Sequence, residues 1–186
     1  MNCVNLFLLA IALFMASCSG NSYKVNGVSN ANANMDENTT FGFASQVDKR
    51  LNPDPLFSND LVLKSEIRDA VTHEMESRGF TKDKSSPDLV VNFRVFEEAT
   101  QIQGLEGLGD NYWADTEIVD VDNPETVNLK EGSLMIHIVD RNTGKLIWQG
   151  YASGLMDGEV FGKDKNKITE AVSMVFDTYN QRADNL

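Results

Sequence analysis

Apolar residues recur at helical spacing in two segments of the chain, one central and one near its end. In "SNDLVLKSEIRDAVTHEMESRGF" (58–80), Asn59 and Asp60 can cap a helix and Gly79 can end it. "DKNKITEAVSMVFDTYNQ" (164–181) repeats the pattern. We predict two amphipathic helices whose core faces are Leu63, Ile67, Ala70, Val71 and Met75 in the first and Ile168, Ala171, Val172, Val175, Phe176 and Tyr179 in the second.

Other segments alternate with the period of two that is typical of strands. They are residues 23–28, "TTFGFASQV" (39–47) and "PDLVVNFRVFEE" (87–98). In "GSLMIHIVDRNTGKLIWQGYASG" (132–154), two apolar runs flank a polar turn that predicts a β-hairpin. Together the patterns predict an α+β fold, with a mostly antiparallel sheet and both helices packed on one face.

The N-terminus carries an uncharged apolar run from Leu6 to Met15. This is about half of the ~20 residues that a membrane-spanning helix needs, so a secretory signal is the better interpretation. Residues 15–18 (MASC) resemble the lipobox of bacterial lipoproteins, in which the cysteine becomes an acylated N-terminus. An ordinary signal peptide and a membrane span are the alternatives. We therefore predict a signal peptide at 1–17 and lipidation at Cys18.

The predicted processing leaves a mature domain without any thiol, because the only other cysteine is Cys3. A disulfide, a thiolate zinc site and a cysteine nucleophile are then excluded. After Cys18, residues 18–38 are assigned to the acylated N-terminus, a linker and the first strand. Residues 39–186 are assigned to a single α+β domain.

The chain has a net charge of -12, and all of it falls after the predicted signal. An acidic surface repels nucleic acid and anionic headgroups, and the sequence contains no basic patch. We therefore expect no nucleic-acid partner, and membrane attachment through the lipid rather than through charge.

Candidate chemistry concentrates in a Gly/Asp-rich loop at 98–130, where periodicity is weak. Tyr112 and Trp113 form a candidate recognition loop, although they could instead fold back over the sheet. Carboxylates at Asp115, Glu117, Asp120 and Asp122 are a weaker candidate for calcium, since EF-hand spacing is absent. The two histidines, His73 and His137, lie in separate elements without metal-ligand spacing. We predict no catalytic residue and no cofactor.

Four short motifs carry a resemblance to a known family. They are Pro87-Asp88-Leu89, Gly132-Ser133-Leu134, Val139-Asp140 and the run Leu146-Ile147-Trp148-Gln149-Gly150. This pattern resembles the bacterial lipoproteins of the domain of unknown function 4136 family, with Ser133 in place of the usual Thr. The resemblance implies an exported, lipid-anchored α+β domain and brings no established activity.

These observations predict a lipid-anchored cell-envelope protein that acts as a non-enzymatic binding or structural module. An envelope protein is the expected partner. Ser19 is not the Asp that favours inner-membrane retention, so the outer membrane, facing the periplasm, is the expected location. The alternative is a carboxylate-based envelope hydrolase, which requires two carboxylates to converge in a pocket with perturbed pKa values.

Overall fold

The computed structural model describes residues 24–29, 38–44, 61–96, 98–103, 126–154 and 164–183. Within these ranges the chain forms eight strands and two helices. In chain order they are β1 (Lys24–Ser29), β2 (Thr40–Phe43), α1 (Leu61–Ser77), β3 (Thr81–Lys82), β4 (Leu89–Phe96), β5 (Thr100–Gln103), β6 (Thr126–Leu129), β7 (Ser133–Asp140), β8 (Leu146–Ser153) and α2 (Lys165–Phe176).

Six strands form the main sheet, in the order β1-β8-β7-β4-β2-β3. β1, β8, β7 and β4 pair antiparallel, as predicted, but β2 pairs parallel with both β4 and β3. The sheet is therefore mixed, and the expectation of a mostly antiparallel sheet is only partly right. The reason is the connection: α1 lies between β2 and β4, and a helical crossover lets the second strand run in the same direction as the first.

The predicted hairpin is formed by β7 and β8. Asp140 begins its turn by accepting a hydrogen bond from the Thr143 amide at 2.7 Å, and Gly144 takes a positive φ of 68°. A residue with a Cβ would be strained at that φ, which explains the glycine. The two strands pair from Leu134 opposite Ala152 to Val139 opposite Leu146, and a β-bulge between Ile138 and Val139 shifts the register by one residue.

Both helices pack on one face of the main sheet, as predicted. The stripes expected from the sequence are buried, and they share one core with the sheet residues that point towards the helices. α1 ends where expected, with Gly79 at a φ of 86° and the Phe80 amide donating to the Met75 carbonyl at 3.2 Å. At the start of α2, the Asp164 side chain accepts a hydrogen bond from the Asn166 amide. His73, on α1, is exposed.

The opposite face of the sheet is also covered, which the sequence analysis did not anticipate. β5 and β6 pair antiparallel as a separate ribbon, and their Ile102 and Leu129 share a second core with Phe96, Met135 and Tyr151 of the main sheet. These two strands lie inside the 98–130 range. They have four residues each, which is too short for alternation to distinguish them from loop. As a result, β7 and β8 are buried on both faces.

No helix in the described ranges is long and apolar enough to cross a membrane. The predicted signal peptide at 1–17 lies outside those ranges.

Candidate functional site

The site residues predicted from the sequence lie outside the described part of the chain. They are Cys18, Tyr112, Trp113, Asp115, Glu117, Asp120 and Asp122. Their placement therefore stays a prediction. Among the described residues, no three His, Cys, Asp or Glu side chains are grouped so that they could hold a metal ion.

Asp88, in the first of the four motifs, joins the starts of two parallel strands. Its Oδ2 accepts hydrogen bonds from the amides of Thr39 and Thr40, at 3.0 and 2.9 Å, and from the Thr40 hydroxyl at 2.7 Å. Its own amide donates to the Thr40 hydroxyl at 2.9 Å, and its carbonyl accepts from the Arg141 amide. Burial would raise the pKa of the Asp88 carboxyl, but these hydrogen bonds to the charged form outweigh burial and lower it. Asp88 is thus a structural clamp.

Trp148, in the last motif, is a core residue and has no exposed surface. Its ring lies 5.5 Å from that of Phe176 and 5.0 Å from that of Tyr179, between centroids. A Cβ on Gly150 would collide with the Trp148 ring and would lie 2.7 Å from Cγ1 of Val175. The motif Trp-x-Gly therefore has a steric meaning: the glycine two residues along the strand leaves room for the indole to lie across the backbone.

A row of polar side chains crosses the sheet on the face opposite the helices. Asn92, His137 and Gln149 are register partners on β4, β7 and β8, and all three are buried. His137 Nε2 lies 3.1 Å from Gln149 Oε1. An amide oxygen only accepts, so the neutral ring carries its proton on Nε2. Nδ1 of His137 has no hydrogen-bond partner among the described residues.

His137 is held in its neutral form. Burial lowers the pKa of its imidazole to about 4; the Gln149 hydrogen bond acts in the opposite direction, and the positive charge of Arg94 adds to the lowering. Only 5 % of the residue is exposed. A neutral imidazole without access to solvent is poorly placed for proton transfer to a substrate, so its evident contribution is to the interior of the sheet.

An open polar groove of about 430 Å³ lies where both helices end. Its two arginines cap helices: Arg78 donates to the carbonyl of Phe176, the last residue of α2, at 2.9 Å, and Arg182 donates to that of Ser77, the last residue of α1, at 3.3 Å. Arg78 also pairs with Glu74 at 2.6 Å. The groove is lined by Glu74, Ser77, Arg78, Asp177, Tyr179, Asn180 and Arg182.

The groove is lined by charged and hydrogen-bonding side chains. Tyr179 is buried, and burial raises the pKa of its phenol, so the hydroxyl stays protonated at neutral pH. Glu74 is already paired with Arg78. The groove therefore offers a charged, hydrogen-bonding surface without an activated nucleophile among its lining residues.

Sequence reasoning missed the groove and the His137–Gln149 pair. A usable signal existed for the groove. Arg78 directly follows the last residue of α1, where basic side chains can reach helix carbonyls. For the His137–Gln149 pair no such signal existed: counting outwards from the turn places His137 opposite Trp148, and a β-bulge between Ile138 and Val139 shifts the pairing to Gln149.

The fold is a small α+β domain in which Asp88, Asp140, Trp148 and Gly150 have structural roles. The family model described as domain of unknown function (DUF4136) matches residues 25–179, and the chain belongs to this family. That match confirms the resemblance found in the sequence.

Solved structures show the same fold at low sequence identity. The chain is similar to a DUF4136 family protein from Bacteroides thetaiotaomicron, with 17% identity and a TM-score of 0.56, over 86% of this chain and 97% of that one. It is also similar to a PDZ domain protein from Parabacteroides distasonis, with 15% identity and a TM-score of 0.50. That match covers 92% of this chain and 40% of the other. No curated protein matches the sequence.

Proposed function

We propose that this DUF4136 protein is a lipoprotein of the cell envelope, anchored through acylated Cys18, whose domain serves as a non-enzymatic binding or structural module. The observation that carries the proposal is the structural use of the family motifs. Asp88 clamps two strands, Asp140 forms the hairpin turn, and Trp148 with Gly150 fills the core. Residues that hold the fold together in this way support a scaffold better than a catalytic centre.

The sequence at 15–18 supports anchoring through a lipid, and the charge of the domain argues against electrostatic attachment. A body with a net charge of -12 has little attraction for anionic headgroups, so stable attachment requires hydrocarbon. Each buried methylene contributes about 0.8 kcal/mol, and more than one chain is needed for firm anchoring. The outer membrane, with the domain facing the periplasm, is the location we propose.

Replacing Cys18 by Ala is expected to remove the lipid and release the protein from the membrane fraction, in an unprocessed or soluble form. Mass spectrometry of the N-terminal peptide measures the lipidation, and detergent phase partitioning measures the attachment to the membrane. Cys3→Ala is the matched control, because it alters the only other cysteine, inside the predicted signal. Firm membrane retention, after a high-salt wash, of a Cys18→Ala product that has lost residues 1–17 would contradict anchoring through Cys18.

For the partner, we propose an envelope protein that contacts the segment carrying Tyr112 and Trp113. Aromatic side chains supply most of the binding energy at many interfaces, since they bury large apolar areas and still offer a polar group. The segment joins β5 to β6, and this ribbon packs through Ile102 and Leu129 on the main sheet. The ribbon therefore fixes the two ends of this segment on the domain.

The double variant Tyr112→Ala/Trp113→Ala is expected to lose specific in-cell crosslinks, while the membrane fraction and the folded domain are retained. Mass spectrometry of crosslinked products measures the loss, and far-UV circular dichroism checks the fold. The double variant Asn142→Ala/Thr143→Ala, in the exposed β7–β8 turn, is the matched control. An unchanged crosslinking pattern would remove Tyr112 and Trp113 from the interface.

A further inference from the structure

We infer that one particular end of the main sheet faces the phospholipid headgroups. This inference rests on the proposed acylation of Cys18. Five residues, 19–23, separate Cys18 from Lys24, the first residue of β1. A trans chain extends by at most about 3.6 Å per residue, so whatever their conformation Lys24 lies within roughly 22 Å of the anchor. β1 is hydrogen-bonded into the sheet along its length, so this limit applies to the whole domain.

The strand pairing shows which residues share that end. Lys24 is opposite Ser153 across β1 and β8, Leu134 is opposite Ala152 across β7 and β8, and Phe96 is opposite Ser133 across β4 and β7. We call this the Lys24 end. At the other end, Leu89 is opposite Asp140, and we call that the Asp140 end. β4, β7 and β8 have eight residues each, so the two ends are about 25 Å apart.

The two helices run along the line that joins these two ends. Lys165, at the start of α2, lies 3.3 Å from Glu66 in the early part of α1, and Arg78 just after α1 contacts Phe176 at the end of α2. The two helices therefore run side by side in the same direction. Because the ring of Trp148 packs on that of Tyr179, α2 finishes near the Asp140 end. The polar groove at the helix C-termini consequently points away from the anchor.

Charge at the Lys24 end is compatible with headgroup phosphates. Lys24 and Lys130 are exposed there, and the Lys130 amide donates to the Ser153 hydroxyl at 2.9 Å, which fixes its place. Lys165 adds a third cation, with 67% of its side chain exposed, although it pairs with Glu66. Glu98, Glu131 and Asp164 are also exposed at this end, so they offset the lysines and charge gives no net attraction to the headgroups. The short tether, rather than charge, sets the orientation.

The test uses the full acylated protein in phosphatidylethanolamine/phosphatidylglycerol vesicles that carry a headgroup nitroxide. Since the mature domain has no free cysteine if Cys18 is acylated, Lys130→Cys and Asn142→Cys can each take one fluorophore, at the Lys24 end and in the turn at the Asp140 end. Quenching of the label at position 130 is expected to exceed that at 142 by roughly threefold or more, because a strand length of about 25 Å separates them. Equal quenching, or stronger quenching at 142, would overturn the orientation.

A lengthened tether separates the causes. Inserting a flexible Gly/Ser segment of about 20 residues after Asn21 allows the domain to tumble, so the difference between the two labels should collapse. A difference that persisted with the long tether would overturn the role of tether length. Failure of the protein to float with the vesicles would instead count against acylation itself, so the two proposals fail in distinguishable ways.

Discussion

Truncation of Trp148 to alanine is expected to lower the free energy of unfolding by about 4 kcal/mol. Large-to-small changes at buried aromatic sites have costs of this size. The indole is fully buried and contacts the rings of Phe176 and Tyr179, so its removal opens a cavity between β8 and α2. Since small domains are stable by only about 5–15 kcal/mol, this is a large fraction of the total. Unfolding of the processed protein by denaturant, monitored by far-UV circular dichroism, measures this loss of stability.

Gly150→Ala is expected to lower the free energy of unfolding by about 2 to 3 kcal/mol, because it overpacks the core instead of opening a cavity. Its new methyl group would collide with the Trp148 ring and lie 2.7 Å from Val175 Cγ1. The two substitutions should therefore be strongly coupled. In the Trp148→Ala background the collision with the ring is gone and only the Val175 contact remains, so Gly150→Ala should cost clearly less there than in wild type.

Trp113→Ala gives the spectroscopic control, because it leaves Trp148 as the only tryptophan. The emission of this variant should be that of a buried indole and should shift to the red on unfolding. Additive costs for Trp148→Ala and Gly150→Ala in the double-mutant cycle would contradict the proposed packing of the ring over the glycine.

The helices show what a sequence can specify on its own. Every residue predicted for the core face of α1 is buried, because the stripe of an amphipathic helix directly reflects the side that faces the core. The turn at 140–144 was also predictable, since Asp140 and Gly144 meet local backbone requirements. Local periodicity and turn chemistry thus account for the elements that were found.

Pairing across long distances was not predictable in the same way. The parallel direction of β2 follows from the strand–helix–strand order around α1 and not from the residues of β2 itself. The β5–β6 ribbon was not predicted, because the strands that contribute Ile102 and Leu129 have only four residues each and are too short to show a pattern. Without this ribbon, His137 would be expected to face solvent; with both faces of β7 covered it is buried. The buried polar row thus follows from tertiary packing.

The burial of His137 has a consequence for stability at acidic pH. Its pKa is about 4 in the folded protein, against an ordinary value of 6.5. Between these values the unfolded chain binds more protons than the folded one, so stability falls as pH falls. The contribution is fully present above pH 6.5, begins to be lost as the pH drops below it and is gone below pH 4. Because a tenfold change in proton affinity corresponds to about 1.4 kcal/mol, the loss attributable to this one residue is about 3 kcal/mol.

The experiment compares the free energy of unfolding of wild type and His137→Asn from pH 7.5 to 4. Asn keeps a polar amide in the row and does not titrate, although it is too short to place a donor where His137 Nε2 lies. Carboxylates contribute equally to both profiles, so the difference between them isolates the imidazole. Wild type should lose about 3 kcal/mol more than the variant over this interval.

His73→Asn is the matched control, since the chain has only two histidines and the second one is exposed on α1. Its profile should follow that of wild type. If instead His137→Asn ran parallel to wild type through the whole interval, His137 would have to accept a proton while the protein stays folded. That result would require a path for solvent to the row formed by Asn92, His137 and Gln149, and it would place a titrating group in the middle of the sheet. The imidazole would then become a candidate for proton transfer, and the case for a purely structural domain would weaken at that residue.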